Sequence, residues 1–200
     1  MIRILIAEDQ SMLRGALATL LSLEDDIDVV AEAHNGLEAL NLTRELKPDV
    51  LVTDIEMPEM SGIDVAEALK EEKTTTQVLI VTTFARPGYL QRAMQAGVTG
   101  YLLKDAGSDE LANAVRAVAS GQRHVPAELA ELAWRAPDPL SDREREVLRL
   151  AEAGMSNKQI ASKLSLSPGT VRNYVTEAMN KLNAANRIEA FRLARDLGLL

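Results

Sequence analysis

IRILIAED (residues 2–9) joins a short, uninterrupted apolar run to an acidic pair, Glu8 and Asp9, and the same pattern returns three times down the chain. Val50 to Thr53 leads into Asp54, Val78 to Thr82 ends on a hydroxyl, and Tyr101 to Leu103 leads into Lys104. Runs this short and this evenly apolar are strands buried on both faces, as in a parallel sheet covered by helices. Strands are predicted near residues 2–7, 27–33, 49–53, 77–82 and 99–103, with helices near 10–22, 36–46, 62–72, 86–96 and 108–119. The last helix carries Leu111, Ala114, Val115 and Val118 at three-and-four spacing, with Ser108 as its expected N-cap and Gly121 as its stop. Five such units joined by right-handed crossovers make an α/β doubly wound parallel sheet, and ligands of such sheets bind at the carboxyl edge of the strands. Glu8, Asp9, Asp54 and Lys104 all fall at that edge.

Beyond residue 120 the strand pattern stops. Gly121, Pro126, Pro137 and Pro139 break up any continuous element and mark a connection, within which Pro126 to Trp134 has room for a short helix. Then come clear helix starts. Ser141 with Glu144 and Ser156 with Gln159 have capping-box spacing, and Ser167 precedes Pro168 at a first helical position. Helices are predicted near 142–153, 157–164, 168–182 and 187–196. The chain therefore reads as an α/β domain over 1–120, a linker over 121–138 and an all-α four-helix domain over 139–200. Charge divides the same way: residues 1–120 hold 10 Lys and Arg against 20 Asp and Glu, a net of −10, whereas residues 140–200 hold 10 against 7, a net of +3. An acidic first domain suits a cation, and a basic second one suits a polyanion.

Composition excludes several classes. No apolar stretch approaches the roughly 20 residues of a membrane helix, so no membrane association is expected. The N-terminal run is interrupted by Arg3 and closed by Glu8, which is not an export signal. With no cysteine, disulfides and thiolate chemistry are out, and a reducing, cytoplasmic location fits. His34 and His124 are too few for a histidine metal cluster and read as ordinary surface positions.

Carboxylates gathered at one point repel one another unless a cation sits among them, and an all-oxygen set suits Mg²⁺. Asp54 is the candidate nucleophile toward phosphorus, Lys104 the compensating ammonium, and Thr82 a hydroxyl placed to donate to a phosphate oxygen. Singly, each has an ordinary explanation: acidic pairs start helices and lysines cover surfaces. Their shared position at four strand ends is what favours a site.

The segments IAEDQ (6–10), VTDIEMPEMSG (52–62), VTTFA (81–85) and GYLLKD (100–105) resemble the receiver domain of bacterial two-component response regulators. The resemblance implies a flavodoxin-like sheet of order 2-1-3-4-5 and phosphorylation of Asp54 by a sensor histidine kinase. It also implies Mg²⁺ held by Glu8, Asp9, Asp54 and the backbone carbonyl of Glu56, with Thr82 and Tyr101 as a switch pair that reshapes the surface around the fourth and fifth helices. Asp105 departs from the family, where many receivers have proline.

The stretch from Pro168 to Leu182 is amphipathic, with Val171, Tyr174, Val175, Ala178, Met179 and Leu182 available to a core, and reads as the second helix of a helix-turn-helix. LSDREREVLRLAEAGMSNKQIA (140–161), SLSPGTVRNYVTEAMNKL (165–182) and NRIEAFRLA (186–194) resemble the LuxR/NarL type of DNA-binding domain. That resemblance implies base reading by Arg172, Asn173 and Thr176 and phosphate contacts by Thr170, Lys158 and Lys181. Tyr174, where relatives often carry histidine, is expected to face the core or the backbone. It implies double-stranded promoter DNA and RNA polymerase as partners, and a homodimer when phosphorylated, which a net charge of +3 per copy favours. The first and fifth receiver helices, or the fourth and fifth, serve as dimer surface in the family, and the residues leave both open. TTFARPGYLQRA (82–93) and GTVRNYV (169–175) resemble the branch that controls a membrane-lipid desaturase gene. Such a protein is no enzyme beyond slow self-phosphorylation and autodephosphorylation. Two other readings compete: a phosphatase or phosphotransferase working through the same aspartyl phosphate, and a constitutive DNA binder with a vestigial receiver. Against the first, Asp54-Ile55-Glu56 lacks a D-x-D motif; against the second, every polar group of the switch is retained.

Overall fold

The computed structural model of the protein describes residues 1–83, 87–127, 129–131 and 139–200. Residues 128 and 132–138 of the expected 121–138 linker, part of the expected helix from Pro126 to Trp134, and the residues Phe84, Ala85 and Arg86 of the quoted motifs lie outside the described residues. Two compact units divide the chain, the five strands lying in the first and the last four helices in the second.

Residues 2–119 alternate β1 (Ile2–Ala7), α1 (Ser11–Ser22), β2 (Ile27–Ala33), α2 (Gly36–Leu46), β3 (Val50–Thr53), α3 (Gly62–Glu71), β4 (Gln77–Thr82), α4 (Pro87–Gln95), β5 (Gly100–Leu103) and α5 (Ser108–Ala119). All four pairings are parallel, in the order β2-β1-β3-β4-β5. The apolar runs behave as continuous apolar strands should: Ile4, Leu5, Ile6, Val50, Leu51, Leu79 and Ile80 are fully buried. One core cluster joins Ile4, Ile6, Val50, Val52, Leu79, Val81 and Leu102 of the sheet to Leu111, Ala114, Val115 and Val118 of α5. The register sets Ala7 beside Thr53 and Thr82 beside Leu103, so the residue after each strand emerges at the same edge.

Ser108 is not the cap of α5. Gly107 occupies the N-cap with extended backbone (φ −68°, ψ 159°), offers no side-chain bond, and leaves Ser108 as the first helical residue. Gly121 does end the helix, its φ of +78° placing it in the left-handed region that glycine tolerates at no steric cost. Beyond Gly121 the chain turns back to the sheet. His124 is half-buried, and its backbone pairs in parallel with Gly100: His124 N–H donates to Thr99 O (3.1 Å) and Tyr101 N–H donates to His124 O (2.8 Å). His124 is therefore not the plain surface position its isolation suggested. The pairing covers the outer edge of β5, which would otherwise present unpaired backbone groups.

The second unit holds α6 (Asp142–Glu152), α7 (Asn157–Leu164), α8 (Pro168–Lys181) and α9 (Arg187–Asp196). Both capping boxes form: the hydroxyls of Ser141 and Ser156 accept from the backbone N–H of Glu144 and Gln159, whose side chains reach back to the cap residues. Ser167 caps α8 by accepting from Thr170 N–H, with Pro168 in the first turn. Two core clusters support these helices. Val147, Ala151, Ile160, Ala161, Val171 and Val175 join α6, α7 and α8, while Leu140, Leu148, Ala178, Leu182, Ala190, Ala194 and Leu199 join α6, α8 and α9.

Candidate functional site: an acidic strand-edge cluster and an exposed helix face

Strands β1, β3 and β5 each extend their hydrogen bonding one residue beyond their end. Glu8 N–H donates to Ala33 O (3.1 Å), Asp54 N–H to Ala7 O (3.0 Å) and Lys104 N–H to Thr82 O (2.8 Å). The ladder therefore fixes the backbones of the polar residues, and their side chains meet. The Lys104 ammonium bridges Glu8 Oε2 at 2.7 Å and Asp54 Oδ2 at 2.8 Å. The second oxygen of Asp54 accepts from Ile55 N–H (2.6 Å), and that of Glu8 from Gln10 N–H (3.2 Å). Glu8 is 1% exposed, Asp54 6%, and Thr82 and Tyr101 are fully buried; Asp9 is exposed.

Burial pushes the Glu8 carboxyl above its ordinary value, helped by the neighbouring Asp54, despite the bond from Lys104. Burial also works against the Lys104 ammonium, but its bonds to Asp54 and Glu8 outweigh this and hold it above the ordinary lysine value. One ammonium among three carboxylates leaves the cluster anionic. Oxygen atoms of Glu8, Asp9 and Asp54 lie within 4.8 Å of one another, a hard-donor set that fits a divalent cation such as Mg²⁺. Glu56 lies exposed in the loop after Asp54, outside that side-chain group.

Two supports of this cluster were not singled out in the sequence, although Gly62 closes the quoted segment 52–62. Arg14 of α1 donates from Nη1 to the carbonyl of Glu8 (2.7 Å) and pairs with Glu32 of β2 (3.4 Å), tying down the turn that carries the acidic pair. Gly62 approaches the back of the phosphoacceptor candidate so closely that a Cβ there would stand 2.0 Å from Asp54 O. The Gly62 N–H donates to Ile55 O (2.9 Å), which draws the start of α3 against this strand end.

On the second unit, α8 buries Val171 and Val175 and half-buries Tyr174 against the cluster it shares with α6 and α7, and buries Ala178 in the cluster it shares with α6 and α9. Arg172, Asn173 and Thr176 are exposed on one face, and Lys158 is exposed on α7. Thr170 is half-buried, its hydroxyl paired with that of Ser167 (2.8 Å), and the Thr176 hydroxyl donates to Arg172 O (3.0 Å). Lys181, expected to contact phosphate, is exposed at the end of α8 and makes an ion pair. Its ammonium is held at 2.7 Å by the buried carboxylate of Glu144, a residue the sequence marked only as half of a capping box.

Comparison with known proteins agrees with both halves. Residues 4–116 match the family of response regulator receiver domains, and residues 138–194 match the bacterial regulatory proteins of the luxR family. Among relatives, the transcriptional regulatory protein DesR of Bacillus subtilis is 50% identical over 198 residues, covering 99% of this chain and 98% of that protein. The transcriptional regulatory protein YvfU of the same organism is 52% identical over 198 residues, covering 99% of each. Among solved structures, the response regulator ChrA of a heme-sensing two-component system is 38% identical, with a TM-score of 0.59 over 100% of this chain and 98% of that one. RcsB in a complex with DNA is 26% identical, with a TM-score of 0.66 over 98% of each chain.

Proposed function

Because the chain belongs to the response regulators that join a receiver domain to a LuxR-type DNA-binding domain, we propose that phosphorylation of Asp54 by a sensor histidine kinase drives dimerisation and sequence-specific promoter binding. The observation that carries this is the Lys104 ammonium spanning Glu8 and Asp54 across the sheet edge. The site binds and orients; it does not turn over a substrate. In the transfer, a carboxylate oxygen of Asp54 attacks phosphorus, the P–N bond to the kinase histidine breaks, and the imidazole nitrogen leaves with the electron pair. Ile55 N–H fixes the rotation of the Asp54 carboxylate, leaving its other oxygen toward Lys104. Lys104 is then placed to neutralise charge on the phosphoryl oxygens. Mg²⁺ would be held by Glu8, Asp9, Asp54 and the Glu56 carbonyl, and would supply charge neutralisation at the same oxygens. Thr82 and Tyr101, both buried beside this edge, serve as the switch pair, biased by about −1.5 to −2 of new charge.

On DNA, Arg172, Asn173 and Thr176 read bases, and Lys158 and Thr170 contact phosphates. Arginine suits guanine and asparagine suits adenine. We assign the receiver to 1–120, the linker to 121–138 and the DNA-binding domain to 139–200, which the matched ranges 4–116 and 138–194 support. The protein works in the cytoplasm, where the kinase, promoter and RNA polymerase are met; among the described residues no helix is long and apolar enough to cross a membrane. A membrane-lipid desaturase gene as target rests on residues 82–93 and 169–175 alone, and two relatives of different name match the chain equally well.

The test compares DNA binding before and after treatment with a small-molecule phosphodonor and Mg²⁺. Wild type binds more tightly after treatment, and Asp54→Asn shows no change. Equal wild-type binding in both conditions sinks the proposal.

A further inference from the structure

A charged residue at the end of a DNA-reading helix is ordinarily counted toward phosphate attraction. The surroundings of Lys181 point elsewhere. Its partner, Glu144, is 1% exposed in the first turn of α6, and a buried carboxylate is costly unless fully bonded. A single oxygen, Oε2, accepts both from the Ser141 N–H at 2.7 Å and from the Lys181 ammonium at 2.7 Å. The cap of α6 and the end of α8 thus share one atom. Around this bond lies the apolar seam of the two helices: Leu140 and Leu148 on the Glu144 side, Ala178 and Leu182 on the Lys181 side. Lys181 is also the last residue of α8, where the helix dipole favours a cation. Burial pushes the Glu144 carboxyl up, but the bonds from Lys181 and Ser141 outweigh it and hold Glu144 below the ordinary glutamate range. By contrast, Lys158, Lys163 and Arg172 make no ion pair among the described residues.

We propose that Lys181 is a positioning residue: bolted to Glu144, it fixes the C-terminal end of α8 against the start of α6 and so sets the attitude of the exposed Arg172, Asn173 and Thr176 face. This rests on the reading of α8 as the DNA-contacting helix. The Lys181 side chain is 41% exposed, but its charge is matched by that of Glu144, so on this reading it adds nothing to counterion release, and the two roles predict opposite results.

The experiment measures binding of the full chain to a mixed-sequence duplex of about 30 base pairs, three helical turns, over a range of salt. It is run with wild type, Lys181→Met, Glu144→Gln and the double variant, each melted by circular dichroism. Lys181→Met is expected to lose affinity on the order of tenfold, because it strands the buried Glu144 charge, with the slope against salt unchanged and the melting temperature lowered. Glu144→Gln is expected to weaken binding too, although it frees a cation, and the double variant recovers affinity relative to Lys181→Met. A phosphate contact gives the reverse: Lys181→Met flattens the salt slope by about one without a melting shift, and Glu144→Gln tightens binding. That outcome overturns the inference alone. A wild-type chain that binds no duplex at any salt overturns the reading of α8 as well. Should Lys181→Met fail to fold, the sign of the Glu144→Gln effect decides.

Discussion

At the scale of single residues, the acidic cluster depends on atoms that carry no charge. Gly62 is glycine for want of room: a Cβ would meet Asp54 O at 2.0 Å and Thr53 Oγ1 at 2.9 Å, and the first of these is backbone that cannot step aside. Thr53 Oγ1 already donates to that same carbonyl (3.0 Å), so the Asp54 peptide is held from two sides. Gly62→Ala should therefore push the Asp54 peptide out of line with Lys104. We expect a loss of about 1–3 kcal/mol in denaturant unfolding, the usual cost of overpacking, together with slower labelling by a phosphodonor. An unchanged unfolding midpoint with wild-type labelling would show that the Asp54 peptide has freedom to move. Arg14 acts in the same indirect way, through the Glu8 carbonyl and not through its carboxylate.

At the scale of elements, helix ends show what a sequence can disclose and what it cannot. Ser141, Ser156 and Ser167 were legible as caps because capping chemistry spans only three residues. Ser108 misled for the same local reason: Gly107 supplies the extended backbone a cap needs, and serine fits the first helical position equally well. Contacts made at long range left no local trace. Nothing around His124 announces that its backbone pairs with Gly100, and Glu144 meets a partner 37 residues away. Glu8, Asp54 and Lys104 were readable as neighbours because each directly follows a strand, and parallel order does the rest. The Glu144 bond carries a pH dependence. Its folded value lies below the ordinary 4.5, so its stabilisation is present above that value and is lost as the pH falls through the folded one. Between pH 7 and pH 3 the melting temperature of wild type should fall further than that of Glu144→Gln. Parallel curves would mean that the Lys181 bond contributes no linkage.

At the scale of the whole molecule, charge follows the proposed chemistry of each half, with −10 over residues 1–120, where the proposed cation and phosphoryl group would be managed, and +3 over residues 140–200, the LuxR-type DNA-binding half. So small a positive charge neutralises few phosphates, and each neutralised phosphate of duplex DNA contributes about −0.9 to the slope of log affinity against log salt. One copy should therefore bind weakly and respond little to salt. If phosphorylation acts by pairing copies, two DNA-binding domains release counterions together, and the slope should rise roughly twofold along with the affinity. Phosphodonor-treated wild type should show about twice the slope of Asp54→Asn on the same duplex, at protein concentrations where Asp54→Asn sediments as a monomer. Tightening with an unchanged slope would mean that the phosphoryl group alters one copy's fit to DNA and leaves its partner number as it was. A doubled slope with a dimer in the centrifuge ties the Asp54 site to the α8 face through association.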